Sequence, residues 1–154
     1  MKIIASIFGI GYIRKGGGTV AAAFAVLIWW LLFRNNGVGI HFAVPLLLTI
    51  AVTGLGVWAG NKVEPEWGKD SYRVVIDEVA GMFISVLFVP VDIKWLLTGF
   101  VLFRFFDIAK PLFIRRLEAL KGGWGVMLDD VLAGIYANVV LQLIIFMWSE
   151  FVES

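Results

Sequence analysis

The chain contains no cysteine and only one histidine, His41. Without cysteine it can form no disulfide, no thiolate zinc site and no cysteine nucleophile. Histidine-based catalysis is disfavoured too, because the topology derived below places His41 on the face away from the other polar groups, and we expect it to be structural. Any chemistry of this chain must therefore use carboxylates, amines, guanidinium groups or hydroxyls.

Charged residues are scarce, at 16% of 154 residues, whereas hydrophobic residues make up 60%. An ordinary soluble domain has about 25% charged residues, so this composition indicates an integral membrane protein. A spanning helix needs about 20 residues. We therefore predict an all-α, polytopic bundle of about four to five transmembrane helices plus short interfacial helices, forming a single membrane-embedded domain of residues 1-154. Nothing in the composition indicates a nucleic-acid partner or a particular oligomeric state.

Five apolar stretches are candidate helices. They cover residues 19–33, 39–60, 74–90, 95–106 and 131–148. Residues 2–13 superficially resemble a signal peptide, but Arg14, Lys15 and three glycines follow instead of a small-residue cleavage site. We interpret this segment as a retained interfacial or re-entrant element.

Basic residues are concentrated on one side of this arrangement. If the N-terminus is cytoplasmic, ten Lys and Arg residues lie in the inside connections, and only Arg34 and Lys94 lie outside. Arg104 falls within a helix. The positive-inside rule therefore predicts a cytoplasmic N-terminus.

Six of the twelve carboxylates lie in or beside apolar runs, where an ionised group needs a partner or a function. They are Asp70, Asp77, Glu78, Asp107, Asp129 and Asp130. Solvation in a mixed-charge loop explains Asp70. The predicted topology places the other five on one cytoplasmic rim, where Arg104 and Lys110 also lie.

Two segments, at Asp77 and at Asp130, share the pattern Asp-x-x-Ala-Gly at a predicted helix start. Small residues one turn below an acid allow two helices to approach closely, which would bring the two carboxylates together. Helix N-capping is the alternative explanation, since acids favour the first turn. It explains one acid per helix better than the adjacent pairs Asp77-Glu78 and Asp129-Asp130.

Oxygen ligands without cysteine or a nearby histidine suit Mg²⁺. Arg104, Asp107 and Lys110 are spaced three residues apart, so they share one side of a helix that Pro111 ends. They form either an internal ion-pair ladder or a binding site for phosphate beside the metal. The combination suggests metal-assisted phosphoryl transfer.

Two further segments lie on the same predicted face. The glycines before Thr19 could cradle an anion with their backbone amides, or they could be a flexible joint. Residues 113–121 form an amphipathic segment carrying Arg115, Arg116 and Lys121. It is either a solvated charged face or a basic interfacial helix that attracts anionic lipid headgroups.

Three blocks of sequence resemble a known family in order and spacing. They are residues 75–81 (VIDEVAG), 103–111 (FRFFDIAKP) and 122–134 (GGWGVMLDDVLAG). They resemble the phosphatidylglycerophosphatase A family over nearly the whole chain. The resemblance implies a Mg²⁺-dependent, multi-pass enzyme of the bacterial inner membrane, which converts phosphatidylglycerophosphate into phosphatidylglycerol in phospholipid biosynthesis. The N-terminal block departs from the family's form: no proline lies at residues 13–17, and Val20-Ala21 follows Thr19.

The residues and the resemblance together give a set of expected roles. We expect the metal to be held by Asp77, Glu78, Asp129 and Asp130. We expect phosphate to be bound by Gly18, Thr19, Arg104, Lys110 and Arg115. We expect the catalytic groups to be Asp107, Asp130, Arg104 and Lys110, with Asp107 a further metal ligand or a general base. The attacking oxygen belongs either to water or to a carboxylate.

The alternative from another class is a small ion-coupled membrane transporter, which would also use intramembrane acids and glycine-broken helices. A transporter would need charge near the middle of the bilayer. The predicted position of the acids near one surface favours an enzyme acting on an anionic phospholipid.

Overall fold

The computed structural model describes residues 1–35, 42–69, 71–117 and 120–153, and the described residues form helices and no strands. The helices are α1 (Lys2–Ala5), α2 (Gly17–Phe33), α3 (Ala43–Trp67), α4 (Ile76–Ser85), α5 (Ile93–Ala109), α6 (Ile114–Leu117) and α7 (Gly123–Glu153), with a 3-10 turn at Ile10–Tyr12. The prediction of an all-α fold is confirmed. His41 and Asp70 lie outside the described residues.

Helix α4 is the centre of the bundle, because it packs against α2, α3, α5 and α7. Eight of its ten residues are buried. Trp29 of α2 packs against Phe83 of α4 with ring centroids 5.0 Å apart, and Phe103 of α5 is fully buried. The acid-bearing first turn of α4 is therefore surrounded by the four long helices.

The predicted number of membrane spans is not confirmed. Two helices within the described residues are long and apolar enough to cross a membrane, Ala43–Trp67 and Gly123–Val152, whereas Gly17–Phe33 is a shorter apolar helix. Helix α4 has ten residues and is about 15 Å long, half of a hydrocarbon core. The prediction of one unbroken helix over residues 74–90 is wrong.

The early end of α4 is stabilised by a contact with α7. The chain leaves the helix after Ser85, and Phe88 has a left-handed backbone with φ of 63°. The Asn138 side chain of α7 donates to the carbonyl oxygens of Ser85 at 3.1 Å and Leu87 at 2.8 Å. These bonds satisfy carbonyls that the helix itself no longer uses.

Helix α7 begins earlier than predicted. It starts at Gly123 rather than near Val131, because the Asn61 side chain of α3 accepts a hydrogen bond from the Gly123 amide at 2.8 Å. The amphipathic segment before it is shorter than expected: its described helix is α6, and residues 118 and 119 lie outside the described residues.

Helices α4 and α7 approach closely through two glycines. A Cβ added to Gly134 would lie 2.4 Å from the Gly81 carbonyl oxygen, and a Cβ on Gly81 would lie 2.7 Å from the Asp130 carbonyl oxygen. Only hydrogen fits at either position. The expectation that the repeated Asp-x-x-Ala-Gly pattern brings two helices together is confirmed, and the contact lies one turn from Asp77 and Asp130.

Candidate active site

Carboxylates from two helices meet at the closely packed end of α4 and α7. One oxygen each from Asp77, Glu78 and Asp130 lies within 4.8 Å of the others. Asp77 is 9% exposed and Asp130 is 4% exposed. Asp107 of α5 interacts directly with the Asp130 carboxyl group. The site is therefore built from the first turn of α4, the last turn of α5 and the second turn of α7.

Helix capping does not explain Asp129 and Asp130. They lie in the second turn of α7, where the backbone amides already have partners within the helix. Asp77 and Glu78 do lie in the first turn of α4, where the helix dipole favours acids, although the capping residue Val75 makes no side-chain cap bond. The convergence of acids from both helices therefore calls for a further explanation.

Several oxygens of the cluster are buried without a partner. Oδ1 of Asp77, Oε2 of Glu78 and Oδ1 of Asp129 have no hydrogen-bond partner in the described part of the chain. A buried polar group left unpaired costs about 1–3 kcal/mol, and more when it is charged. The carboxylates of Asp77, Glu78 and Asp130, which approach within 4.8 Å, also repel one another unless a cation lies between them. The donor set is all oxygen, which fits a hard divalent cation such as Mg²⁺.

Two cations flank the acids. Nη1 of Arg104 donates to Oδ2 of Asp107 at 2.5 Å within α5, and Nζ of Lys110 donates to Oδ2 of Asp129 on α7 at 2.6 Å. The ladder interpretation thus holds for Arg104 and Asp107, and the ion pair between Lys110 and Asp129 joins the end of α5 to α7. Nε of Arg104 is buried and has no hydrogen-bond partner in the described residues, so the guanidinium keeps donor capacity for a ligand.

The position of Lys110 follows from its backbone. Lys110 ends α5 in a left-handed conformation with φ of 44°, and Pro111 prevents the helix from continuing. This turn directs the lysine away from the path of α5 and towards Asp129. The sequence spacing alone paired Lys110 with Asp107 on the same helix.

The predicted phosphate-binding residues of α2 and α6 differ in their position relative to the acid cluster. The first turn of α2 packs against the acids, because a Cβ on Gly18 would lie 2.0 Å from Oε1 of Glu78. Thr19 and Arg115 are exposed. Gly18 therefore adjoins the acid cluster, whereas the structure does not bring Thr19 or Arg115 into it.

Asn138 and Asn61 are the polar residues that the sequence analysis missed. Asn138 holds the end of α4, and it also accepts a hydrogen bond from Gln142 at 2.7 Å. The sequence feature that could have identified Asn138 is the pair of amide side chains, Asn138 and Gln142, four residues apart in an otherwise apolar run. Asn61 follows Gly60, whose Cβ position lies 2.9 Å from the Gly123 Cα, and this pair brings α3 against the start of α7.

Comparison with known proteins shows that this chain is a phosphatase, and so an enzyme rather than an ion-coupled transporter. A family model described as phosphatidylglycerophosphatase A matches residues 3–145, and the chain belongs to that family. No solved structure matches the chain.

Three bacterial relatives cover most of the chain. Phosphatidylglycerophosphatase A of Haemophilus influenzae is 37% identical over 144 residues, covering 92% of this chain and 86% of the relative. Phosphatidylglycerophosphatase A of Escherichia coli is 30% identical over 144 residues, covering 92% and 81%. A protein of Bacteroides thetaiotaomicron with the provisional name phosphatidylinositol-3-phosphatase is 39% identical over 152 residues, covering 92% and 91%.

Proposed function

We propose that this enzyme hydrolyses the phosphomonoester of phosphatidylglycerophosphate with the help of Mg²⁺, giving phosphatidylglycerol and inorganic phosphate at the cytoplasmic membrane face. The observation that carries the proposal is the convergence of Asp77, Glu78 and Asp130 within 4.8 Å, flanked by Arg104 and Lys110. Oxygen ligands for a divalent cation and donors for a phosphate thus lie together.

The acids divide into two groups by their partners. Asp77, Glu78 and Asp130 would hold the metal, and Oδ1 of Asp129 is the remaining buried oxygen available to it. Oδ2 of Asp129 is engaged by Lys110 at 2.6 Å, so Asp129 also orients that lysine. Bound Mg²⁺ would neutralise the carboxylates and polarise the phosphate oxygens towards attack.

The cations of α5 would bind the phosphate. Arg104 is held by Asp107 and keeps unpartnered donor capacity, and Lys110 is held across the site by Asp129. Both side chains are largely shielded from solvent, which strengthens their interaction with a phosphate dianion. Thr19 and Arg115 are exposed, and we propose that they contact the outer part of the headgroup.

Hydrolysis forms a bond between phosphorus and an attacking oxygen and breaks the ester bond to the glycerol, whose oxygen finally takes a proton. We propose that water attacks, and that Asp107, beside Asp130, accepts its proton. A carboxylate nucleophile is the alternative. Rapid quenching of a single turnover with ³²P-labelled substrate separates the two, because a hydroxylamine-sensitive phosphoenzyme would contradict direct attack by water.

The outer surface supports a membrane location for more than the two longest helices. Helix α5 exposes a stripe of large apolar residues, Leu97, Val101, Phe105 and Ile108, and α2 exposes Val20, Leu27 and Leu31. Helix α7 has the same kind of stripe, including Val139, Leu143 and Phe146. Exposed apolar faces of this extent mark surfaces that contact a membrane or another protein. We propose that α2, α3, α5 and α7 all contact the bilayer, with the excess of Lys and Arg placing the site end at the cytoplasm.

The substrate is tested with the purified enzyme. We expect phosphate release from phosphatidylglycerophosphate in the presence of Mg²⁺ and none after chelation with EDTA. Phosphatidylinositol 3-phosphate is the second candidate, because the Bacteroides thetaiotaomicron relative carries that name at 39% identity. Faster hydrolysis of the inositol lipid would replace the proposed substrate, and hydrolysis of either lipid that persists without any divalent cation would contradict the metal requirement.

A further inference from the structure

The N-terminal segment, residues 1–16, is attached to the protein by its inner side. Ala5 and Ser6 are fully buried, and the Val75 amide donates to the Ala5 carbonyl at 2.9 Å. A Cβ on Gly11 would lie 2.0 Å from the Arg73 carbonyl oxygen. Helix α1 packs on α3 and the 3-10 turn packs on α2. The segment therefore lies against the residues that lead directly into the acid-bearing turn of α4.

The outer side of the same segment is apolar. Ile3 is 64% exposed, Tyr12 is 55% exposed and Phe8 is 86% exposed, the highest value for a large apolar residue in the described ranges. Arg14 and Lys15 follow and are also exposed. The inner and outer sides thus differ as they do in an element that lies in a membrane interface.

The backbone projects Phe8 outwards at an energetic cost. Ile7 and Phe8 both have left-handed conformations, with φ of 46° and 54°, which are unfavourable for branched and aromatic residues. Hydrogen bonds hold the turn: the Phe8 amide donates to Ile3 at 2.8 Å and the Gly11 amide donates to Ser6 at 3.0 Å. Glycine or asparagine would adopt this backbone with less strain. Since strain of this kind persists where it serves a function, the Phe8 side chain is expected to have a partner outside the chain.

The neighbours of the segment identify that partner as lipid. Tyr12 makes an edge contact with Trp67, with ring centroids 6.0 Å apart, and Trp67 is the last residue of α3, a candidate membrane span. Aromatic residues at the ends of spanning helices lie at the headgroup level. Given the membrane location proposed above, we propose that the N-terminal segment is an interfacial anchor, which inserts Phe8 between the headgroups and acyl chains beside the active site.

The absence of cysteine makes a direct depth measurement possible. Single variants Phe8→Cys, Leu143→Cys and Lys69→Cys are labelled with an environment-sensitive fluorophore and placed in phosphatidylethanolamine–phosphatidylglycerol vesicles with shallow or deep spin-labelled lipids. We expect position 8 to be quenched mainly by the shallow label, position 143 on the apolar face of α7 to be quenched by lipid labels, and position 69 to report water. Lipid contact at 143 with water at 8 would overturn the anchor alone. Water at both positions would overturn the membrane location itself.

A second pair of variants separates anchoring from folding. Phe8→Asn removes the apolar side chain but suits the left-handed backbone, so we expect unchanged or higher thermal stability in detergent. Its KM for substrate in vesicles should rise about tenfold, the equivalent of roughly half the burial of an aromatic side chain, while activity in detergent micelles is retained. Phe8→Trp should preserve the vesicle KM. An unchanged vesicle KM for Phe8→Asn would contradict the anchor.

Discussion

Substitution of Gly134 by alanine tests whether the close contact of α4 and α7 forms the active site. The added Cβ would lie 2.4 Å from the Gly81 carbonyl oxygen and 3.1 Å from the Ile84 Cβ. An ordinary contact is at least 3.4 Å, so the two helices must separate by about 1 Å. The atoms met are backbone and a branched Cβ, which cannot rotate away. The shift falls one turn from Asp130 and acts on its distance to Asp77.

The expected effects of Gly134→Ala differ in size for stability and for activity. Overpacking costs about 1–3 kcal/mol of unfolding free energy, partly offset by about 0.5–1 kcal/mol from replacing a helical glycine. Activity is more sensitive, because a displacement of about 1 Å in a catalytic site lowers the rate by about 100-fold. We therefore expect a modest loss of thermal stability, a loss of about 100-fold in kcat/KM and a higher Mg²⁺ requirement.

The assay measures phosphate release against Mg²⁺ concentration, with thermal unfolding recorded in the same detergent. Gly54→Ala is the matched control, because Gly54 lies in α3 and a Cβ there would meet nothing within 4 Å. That variant should keep full activity. Wild-type activity and an unchanged Mg²⁺ requirement in Gly134→Ala would refute the claim that this contact sets the geometry of the acids.

Three further variants test separate parts of the site. Lys110→Met should raise KM for the phospholipid, and Asp129→Asn should raise it for part of the same reason. The double variant should therefore raise KM by less than the two single effects combined. Additive effects on KM would contradict the pairing of Lys110 with Asp129. Asn138→Leu should lower the unfolding free energy by about 1–3 kcal/mol, because two carbonyls lose their donor, while KM stays near normal in the same detergent assay. His41→Ala should retain normal phosphate release, and its loss without unfolding would reopen an imidazole mechanism.

The convergence of the acids could be predicted from the sequence because it depends mainly on the order of the helices and the side of the membrane. Lys and Arg counts orient each connection, so the end at which Asp77, Asp107 and Asp130 lie follows without knowledge of packing. The close approach of α4 and α7 followed from Gly81 and Gly134, whose positions relative to the acids are the same in both segments. The distribution of Lys and Arg and the spacing of glycine from the acids can both be read directly from the sequence, and both place the acids at the same end of the bundle.

The length of α4 could not be predicted in this way. The apolar run continues through Val89, and only Pro90 marks a stop, whereas the helix ends at Ser85. The break depends on hydrogen bonds from Asn138, which is more than 50 residues away in sequence. Expectations based on local periodicity therefore extended the helix to the next proline.

The start of α7 and the partner of Lys110 were missed for the same physical reason. Two adjacent glycines usually interrupt a helix, but Asn61 of α3 caps the Gly123 amide and lets α7 begin there. The spacing within α5 brings Lys110 close to Asp107 but does not reveal Asp129, towards which the left-handed turn at Lys110 directs the lysine. In both cases a contact between distant segments decided the outcome.

Direct binding of Mg²⁺ to the purified protein tests the central claim that Asp77, Glu78 and Asp130 form a metal site. Isothermal titration compares the wild type with Asp130→Asn and with Asp92→Asn. The second variant makes the same chemical change at the N-cap of α5, where asparagine caps as well as aspartate. We predict that the wild type and Asp92→Asn bind Mg²⁺ equally, whereas folded Asp130→Asn binds it at least about tenfold more weakly and releases no phosphate. Wild-type Mg²⁺ affinity in Asp130→Asn would contradict the account.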